Sequence, residues 1–167
     1  MPRQREVLFA NRAVALIDKY RKGHHSMTVK RKKIVLIVDD KRVVRSFIRA
    51  VIENSFEEYD LEILTAPSSD TALKIIEQRH GNIDLISTNI NRPGMDGIVF
   101  MHFVKFKYPH IKILICSGSA RTRDLQDMFE GRLADAYIKK PIREKDYINK
   151  IKNIFESQKV VRLSFPA

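Results

Sequence analysis

Ile34-Val-Leu-Ile-Val-Asp-Asp40 decides the fold: a run of branched apolar residues stops abruptly at two carboxylates. An apolar run without alternation reads as a strand buried on both faces, the condition of an inner strand in a parallel sheet. The period then switches. Val43, Val44, Phe47, Ile48, Val51 and Ile52 recur at helical spacing. The same switch repeats along the chain. Leu61–Thr65, Ile83–Thr88, Ile111–Cys116 and Ala136–Ile138 read as further strands. The helices between them are marked by Ala72, Leu73, Ile75 and Ile76, by Ile98, Val99, Phe103 and Phe106, and by Leu125, Met128 and Phe129. Tyr147, Ile148, Ile151, Ile154 and Phe155 mark the last one. Ser68-Ser-Asp70 supplies a capped helix start, and Asn91-Arg-Pro-Gly94 a turn. Five strand–helix units in ~125 residues predict a doubly wound α/β domain over residues 33–158, with helices on both faces of a parallel sheet.

Residues 1–32 read as a separate element. Pro2 suits a first helical turn. Val7, Ala10, Val14 and Ile17, with Phe9, Ala13, Leu16 and Tyr20, lie opposite Gln4, Asn11 and Asp18 in an amphipathic pattern. Gly23-His-His-Ser26 should end that helix, and Lys30-Arg-Lys-Lys33 looks like a linker. Met27 is a second candidate start, which would make the first 26 residues dispensable. An Arg-bearing amphipathic N-terminus is also the pattern of a mitochondrial transit peptide, with nothing else in the chain to support it. The tail 159–167 carries no assignment.

The formal charge of +11 suggests an anionic partner, but residues 1–33 hold ten Lys and Arg against only Glu6 and Asp18. The basic excess therefore belongs mainly to the arm. With 44% apolar and 31% charged residues the composition is that of a globular protein, and no apolar run reaches the ~20 residues of a bilayer span. One cysteine, Cys116, cannot make an internal disulfide, so a reducing, cytoplasmic setting is expected. It follows four apolar strand residues and reads as a buried small hydrophobe. His24-His25 lack acidic or thiol partners, and His80, His102 and His110 have no metal-ligand spacing. No phosphate loop or nucleophilic triad is present, so a conventional enzyme is not expected.

Ligands of a doubly wound sheet bind outside the carboxyl ends of its strands. The residues just past each strand are therefore informative: Asp39-Asp40, Thr88-Asn89, Ser117-Gly118 and Lys139-Lys140-Pro141. Two carboxylates, a hydroxyl and a lysine suit phosphoryl chemistry: the acids can hold Mg²⁺, while the hydroxyl and ammonium bind phosphoryl oxygens. Taken singly each has a bland reading, since Asp-Asp and Ser117 can cap helices and Lys140 can be a solvated lysine.

Ile34–Asp40, Asp84-Leu-Ile-Ser-Thr-Asn-Ile-Asn-Arg-Pro-Gly-Met-Asp-Gly97, Ile113-Leu-Ile-Cys-Ser-Gly118 and Ala134-Asp-Ala-Tyr-Ile-Lys-Lys-Pro141 resemble, in order, the receiver domain of bacterial two-component response regulators. The resemblance implies a flavodoxin-like sheet with strand order 2-1-3-4-5. It also implies that Asp39 and Asp40 form the metal pocket with the backbone carbonyl of Asn91. Ser117 matches the switch hydroxyl, Tyr137 the switch aromatic and Lys140 the family's lysine, joined to Pro141 by a cis bond. Residue 89 is where the family carries its phosphate-accepting aspartate, and here it is asparagine. A carboxamide is a poor nucleophile and cannot form an acyl phosphate. Asp39, Asp40 and Lys140 also sum to −1, where an aspartate at 89 would make −2, so weak Mg²⁺ binding is expected. Asp96 belongs to the loop and helix start rather than to the acceptor position.

Three functions stand as expectations. The first is a stand-alone receiver in phosphorelay signalling, with no effector domain after residue 158. It would work through protein–protein contacts with a histidine kinase or other signalling protein and without ordinary aspartyl phosphorylation. The implied output face is residues 119–158, with Arg121, Arg123, Lys139, Arg143, Lys145, Lys150 and Lys152, and residues 2–22 offer a second surface for a partner or self-association. The second is a conventional phospho-switch carrying an Asp-to-Asn change, native or introduced. The third is nucleic-acid binding by the basic arm, disfavoured because that arm's apolar faces suit docking better.

Overall fold

The computed structural model describes residues 30–91, 93–118 and 122–162. The expected N-terminal helix and linker up to residue 29, with His24, His25 and Met27, lie outside the described residues, as do residues 163–167. The elements run β1 (Arg31–Val38), α1 (Arg42–Glu53), β2 (Tyr59–Ala66), α2 (Ser69–Gln78), β3 (Leu85–Thr88), α3 (Gly97–Lys107), β4 (Lys112–Ser117), α4 (Thr122–Glu130), β5 (Ala136–Lys139) and α5 (Glu144–Arg162). All four strand pairings are parallel, and the sheet order is β2-β1-β3-β4-β5. This is the expected fold.

Strand side chains alternate between faces, and β1 feeds both cores. Leu36 and Val38 pack with Ile86 and Ile115 against Ala72, Ile76, Phe100 and Met128, from α2, α3 and α4. Val35 and Ile37 pack with Leu85 and Leu114 against Ile48, Ile52, Tyr147 and Phe155, from α1 and α5. Ser68 caps α2 as its sequence suggested, its Oγ accepting the Thr71 N–H at 3.2 Å.

Two readings need correction. Arg31–Lys33 are the first residues of β1, not linker. Lys33 is buried there because its ammonium pairs with Asp84 at 2.8 Å, donates to Gln158 Oε1 and lies 5.1 Å from the Phe155 ring centre. At the other end α5 continues to Arg162, past the expected domain end at 158. The helix expected around Ile98, Val99, Phe103 and Phe106 is α3, whose buried face is Phe100, Met101 and Val104, while Val99, Phe103 and Phe106 point outward at 57%, 38% and 91% exposure. Every turn of that helix is apolar on both sides, so periodicity could not say which stripe faces the sheet. Val43 and Phe47 of α1 and Phe129 of α4 are also exposed.

Two aspartates clamp the sheet at its amino edge, each one residue ahead of its own strand. Asp84, before β3, accepts the Ile34 N–H of β1 at 2.9 Å as well as the Lys33 ammonium. Asp135, before β5, accepts the Ile113 N–H of β4 at 2.9 Å, with Lys112 at 2.7 Å and Lys105 at 2.9 Å. Burial alone would raise the Asp135 pKa, but the bonds from Lys112, Lys105 and the Ile113 N–H outweigh it and hold the carboxyl below its ordinary value. A depressed carboxyl pKa stabilises the fold above the unfolded value, ~3.9, and loses that contribution as pH falls through the folded value. Asp135→Asn should therefore cost about 1–2 kcal/mol at pH 7, and the gap to wild type should close on acidification. Urea unfolding at neutral pH and near pH 3 checks this; an equal gap at both would contradict it.

Candidate functional site

The carboxyl edge of the sheet carries the polar residues that the sequence placed there, and their bonding shows what each one does. Asp39 directly follows β1 and its side chain is only 3% exposed. Its Oδ1 accepts the Lys41 N–H at 2.9 Å and its Oδ2 accepts the Lys140 ammonium at 2.6 Å. Lys140 reaches it from beyond β5, with its own N–H on Ser117 O at 3.0 Å, and the Lys140–Pro141 bond is cis. Both Asp39 oxygens are thus engaged by the chain itself. Asp40 faces solvent.

Asn89 follows β3 and is held there by its N–H on Val38 O at 3.1 Å. Its side-chain Nδ2 donates to the backbone carbonyl of Asn91 at 2.9 Å. Ser117 ends β4 and is buried; its carbonyl also accepts the Tyr137 hydroxyl at 3.1 Å, so that ring is turned inward. The structure thus joins Asp39 to Lys140, Asn89 to Asn91, and Ser117 to both Tyr137 and Lys140. Asp96 is not part of this set: it caps α3, its Oδ1 accepting the Ile98 N–H at 2.6 Å. The next residue, Gly97, is required by close approach, since a Cβ there would lie 2.5 Å from the Ile90 carbonyl oxygen. That contact fixes the loop carrying Asn91 against the start of α3.

Sequence reasoning missed Arg45. Its Nη1 donates to the carbonyls of Asp39 at 2.7 Å and Asp40 at 3.1 Å. A signal existed: α1 opens with Arg42 and Arg45 and has no acid in its first turn, although the helix dipole favours acids there. Cys116 is buried as expected, 3.5 Å from Ser87 Oγ, and burial pushes its thiol up to about 11 despite that bond.

As a metal pocket the arrangement fits poorly. Two of the three groups that the resemblance assigned to Mg²⁺, the Asp39 carboxylate and the Asn91 carbonyl, already serve as acceptors for donors of the chain. Only the Asp40 carboxylate stands open. Among the described residues no three His, Cys, Asp or Glu side chains gather as a metal-binding group.

A groove of about 650 Å³ runs from this edge along β5 and α5, past Tyr137, Lys139, Lys140, Arg143, Asn149, Lys150 and Asn153. Arg121 and the side chain of Arg123, also expected on that face, lie outside the described residues. Among the described residues no helix is long and apolar enough to cross a membrane.

Residues 35–152 match the model of the response regulator receiver domain, and the chain belongs to that family. It is 26% identical to the chemotaxis protein CheY of Pseudomonas aeruginosa, over 73% of this chain and 95% of that one. It is 31% identical to histidine kinase P4 of Formosa agariphila, over 83% of this chain but 10% of the kinase. The chain spans only 10% to 37% of the length of several such curated relatives. The solved response regulator TrrA of Thermotoga maritima, in complex with Mg²⁺–BeF, superposes with a TM-score of 0.61 at 26% identity, covering 73% of this chain and 98% of that one.

Removing the Lys140 ammonium would leave Asp39 charged and enclosed. Lys140→Met should cost about 2–4 kcal/mol, and Asp39→Asn/Lys140→Met should recover part of it. A chemical-denaturation cycle at pH 7 measures this; strict additivity of the two single changes would refute the pairing.

Proposed function

We propose that this chain is a receiver that signals by presenting a surface, with Asn89 in the position where the family accepts phosphate. The Asn89 Nδ2 bond to the Asn91 carbonyl carries this reading. An aspartate there would set a carboxylate oxygen against a carbonyl oxygen at about the same separation, two acceptors without a proton. A cation between them would relieve the repulsion. In a phosphate-accepting receiver that cation is Mg²⁺, which also draws in the phosphoryl group. Asparagine supplies an N–H instead, so the loop is held without a metal. Lys140 does the same for Asp39. A neutral amide in place of the nucleophilic carboxylate then leaves the pocket without its reaction.

Output falls to the face around β5, within residues 119–158. Among the described residues Lys139, Arg143 and Lys150 line the groove beside one acid, Asp146. Partners with acidic surfaces fit it, and relatives that carry a receiver within a kinase make a histidine kinase or another cytoplasmic signalling protein the class to test. Catalysis by the chain itself is not part of this reading.

A second reading has support in the same pocket. Asp39, Asp40, Ser117, Tyr137 and Lys140 match the set that the family's phospho-switch uses, and residue 89 departs from it. Acetyl phosphate with Mg²⁺, followed by intact mass, tests whether another group of the chain accepts phosphate in place of residue 89. The wild-type chain should gain no phosphoryl group and Asn89→Asp should gain one; a stoichiometric adduct on the wild type would overturn the proposal. Asn89→Asp should also bind Mg²⁺ at least about tenfold more tightly, and equal affinities in a titration would refute the charge argument.

A further inference from the structure

Among the described residues, the outward stripe of α3 is a strongly patterned feature that neither the core nor the pocket uses. Val99, Phe103 and Phe106 follow one another at spacings of four and three, the rhythm by which one helix packs along another. The opposite stripe, Phe100, Met101 and Val104, is fully buried against the sheet. A helix that is apolar on all sides is normally covered on all sides, yet Phe106 is 91% exposed.

We infer that α3 is a self-association surface, on which a second copy of the chain lays its own α3 antiparallel across Val99, Phe103 and Phe106 about a twofold axis. Two observations favour a second copy as the occupant. The first is charge. α3 carries two charged side chains, and both are neutralised within their own copy. Lys105 binds Asp135 at 2.9 Å and the Ile111 carbonyl at 2.7 Å. Lys107 binds Glu77 at 3.3 Å and lies 5.6 Å from the Phe103 ring centre. Two such faces meet without like-charge repulsion, whereas the groove beside β5 bears unpaired cations and would repel its own copy.

The second is area. At roughly 200 Å² per phenylalanine, the exposed fractions leave about 350 Å² of apolar surface on each copy. Homodimer interfaces are about 65% apolar, so two copies would bury roughly 1,100 Å² in all. That passes the ~1,000 Å² expected of a specific interface and falls short of the ~1,600 Å² of a standard one. The dimer is therefore weak and reversible, so its population follows concentration. Such a twofold contact is isologous and closes on itself, so association stops at two.

This inference is independent of the pocket's chemistry and stands or falls separately from it. Sedimentation equilibrium of the full chain, from micromolar to near-millimolar loading, tests it. The wild type should fit a monomer–dimer equilibrium, and Phe106→Asp should weaken it at least tenfold. Phe47→Asp, which changes an exposed aromatic of α1 on the other face of the sheet, should leave it unchanged. Circular dichroism confirms that each variant folds, and Phe106→Ser serves if the charged variant does not. A wild type that stays monomeric throughout would overturn the inference and leave the stripe to a different protein. So would a Phe106 variant that dimerises as the wild type does, or a Phe47 variant that loses dimerisation equally.

Discussion

β1 has to be apolar on both faces, and most of the molecule depends on that constraint. Ile34–Val38 are buried without exception, and at ~2 kcal/mol for each aliphatic side chain their burial contributes on the order of 10 kcal/mol. That is comparable to the whole net stability of an ordinary domain. A strand so placed needs neighbours on both edges and helices on both faces. β2 and β3 supply the first, and α1, α5, α2 and α3 the second. The run must also stop somewhere, and where it stops two acids emerge at the sheet's carboxyl edge. The pocket is a consequence of where the apolar run ends.

The amino edge works by a different principle. There the β1–β3 and β4–β5 pairings begin, and the N–H groups just ahead of them, those of Ile34 and Ile113, need acceptors from outside the ladder. Asp84 and Asp135 provide them and bring Lys33, Lys105 and Lys112 with them. Charge at one end holds register, while charge at the other surrounds the candidate site. One sheet thus carries two polar edges with separate duties.

The strands were legible because their apolar runs are bounded by unambiguous polar residues, and the order of the strand-end motifs pointed to the family. The pocket's composition was legible for the same reason, but its bonding was not. Nothing in the order of residues says that Lys140 spans 101 positions to reach Asp39, or that the Asn89 amide turns toward Asn91. Arg45 was missed because its partners are main-chain carbonyls, which every residue has and no motif marks. Lys33 was misread because four basic residues in a row resemble a solvated linker until Asp84 and Gln158 are found around one of them. Which face of α3 meets the sheet was not legible, because an excess of apolar residues left two stripes equally eligible for the core.

Arg45 also has a mechanical meaning. By gripping two successive peptide carbonyls from a side chain on the first turn of α1, it couples the strand end to the helix beyond it. The coupling does not depend on which side chains occupy positions 39 and 40. The turn is thereby bonded to α1, which packs against the same sheet face as α5. One side chain thus ties the turn at the pocket to the side of the sheet that α1 and α5 cover.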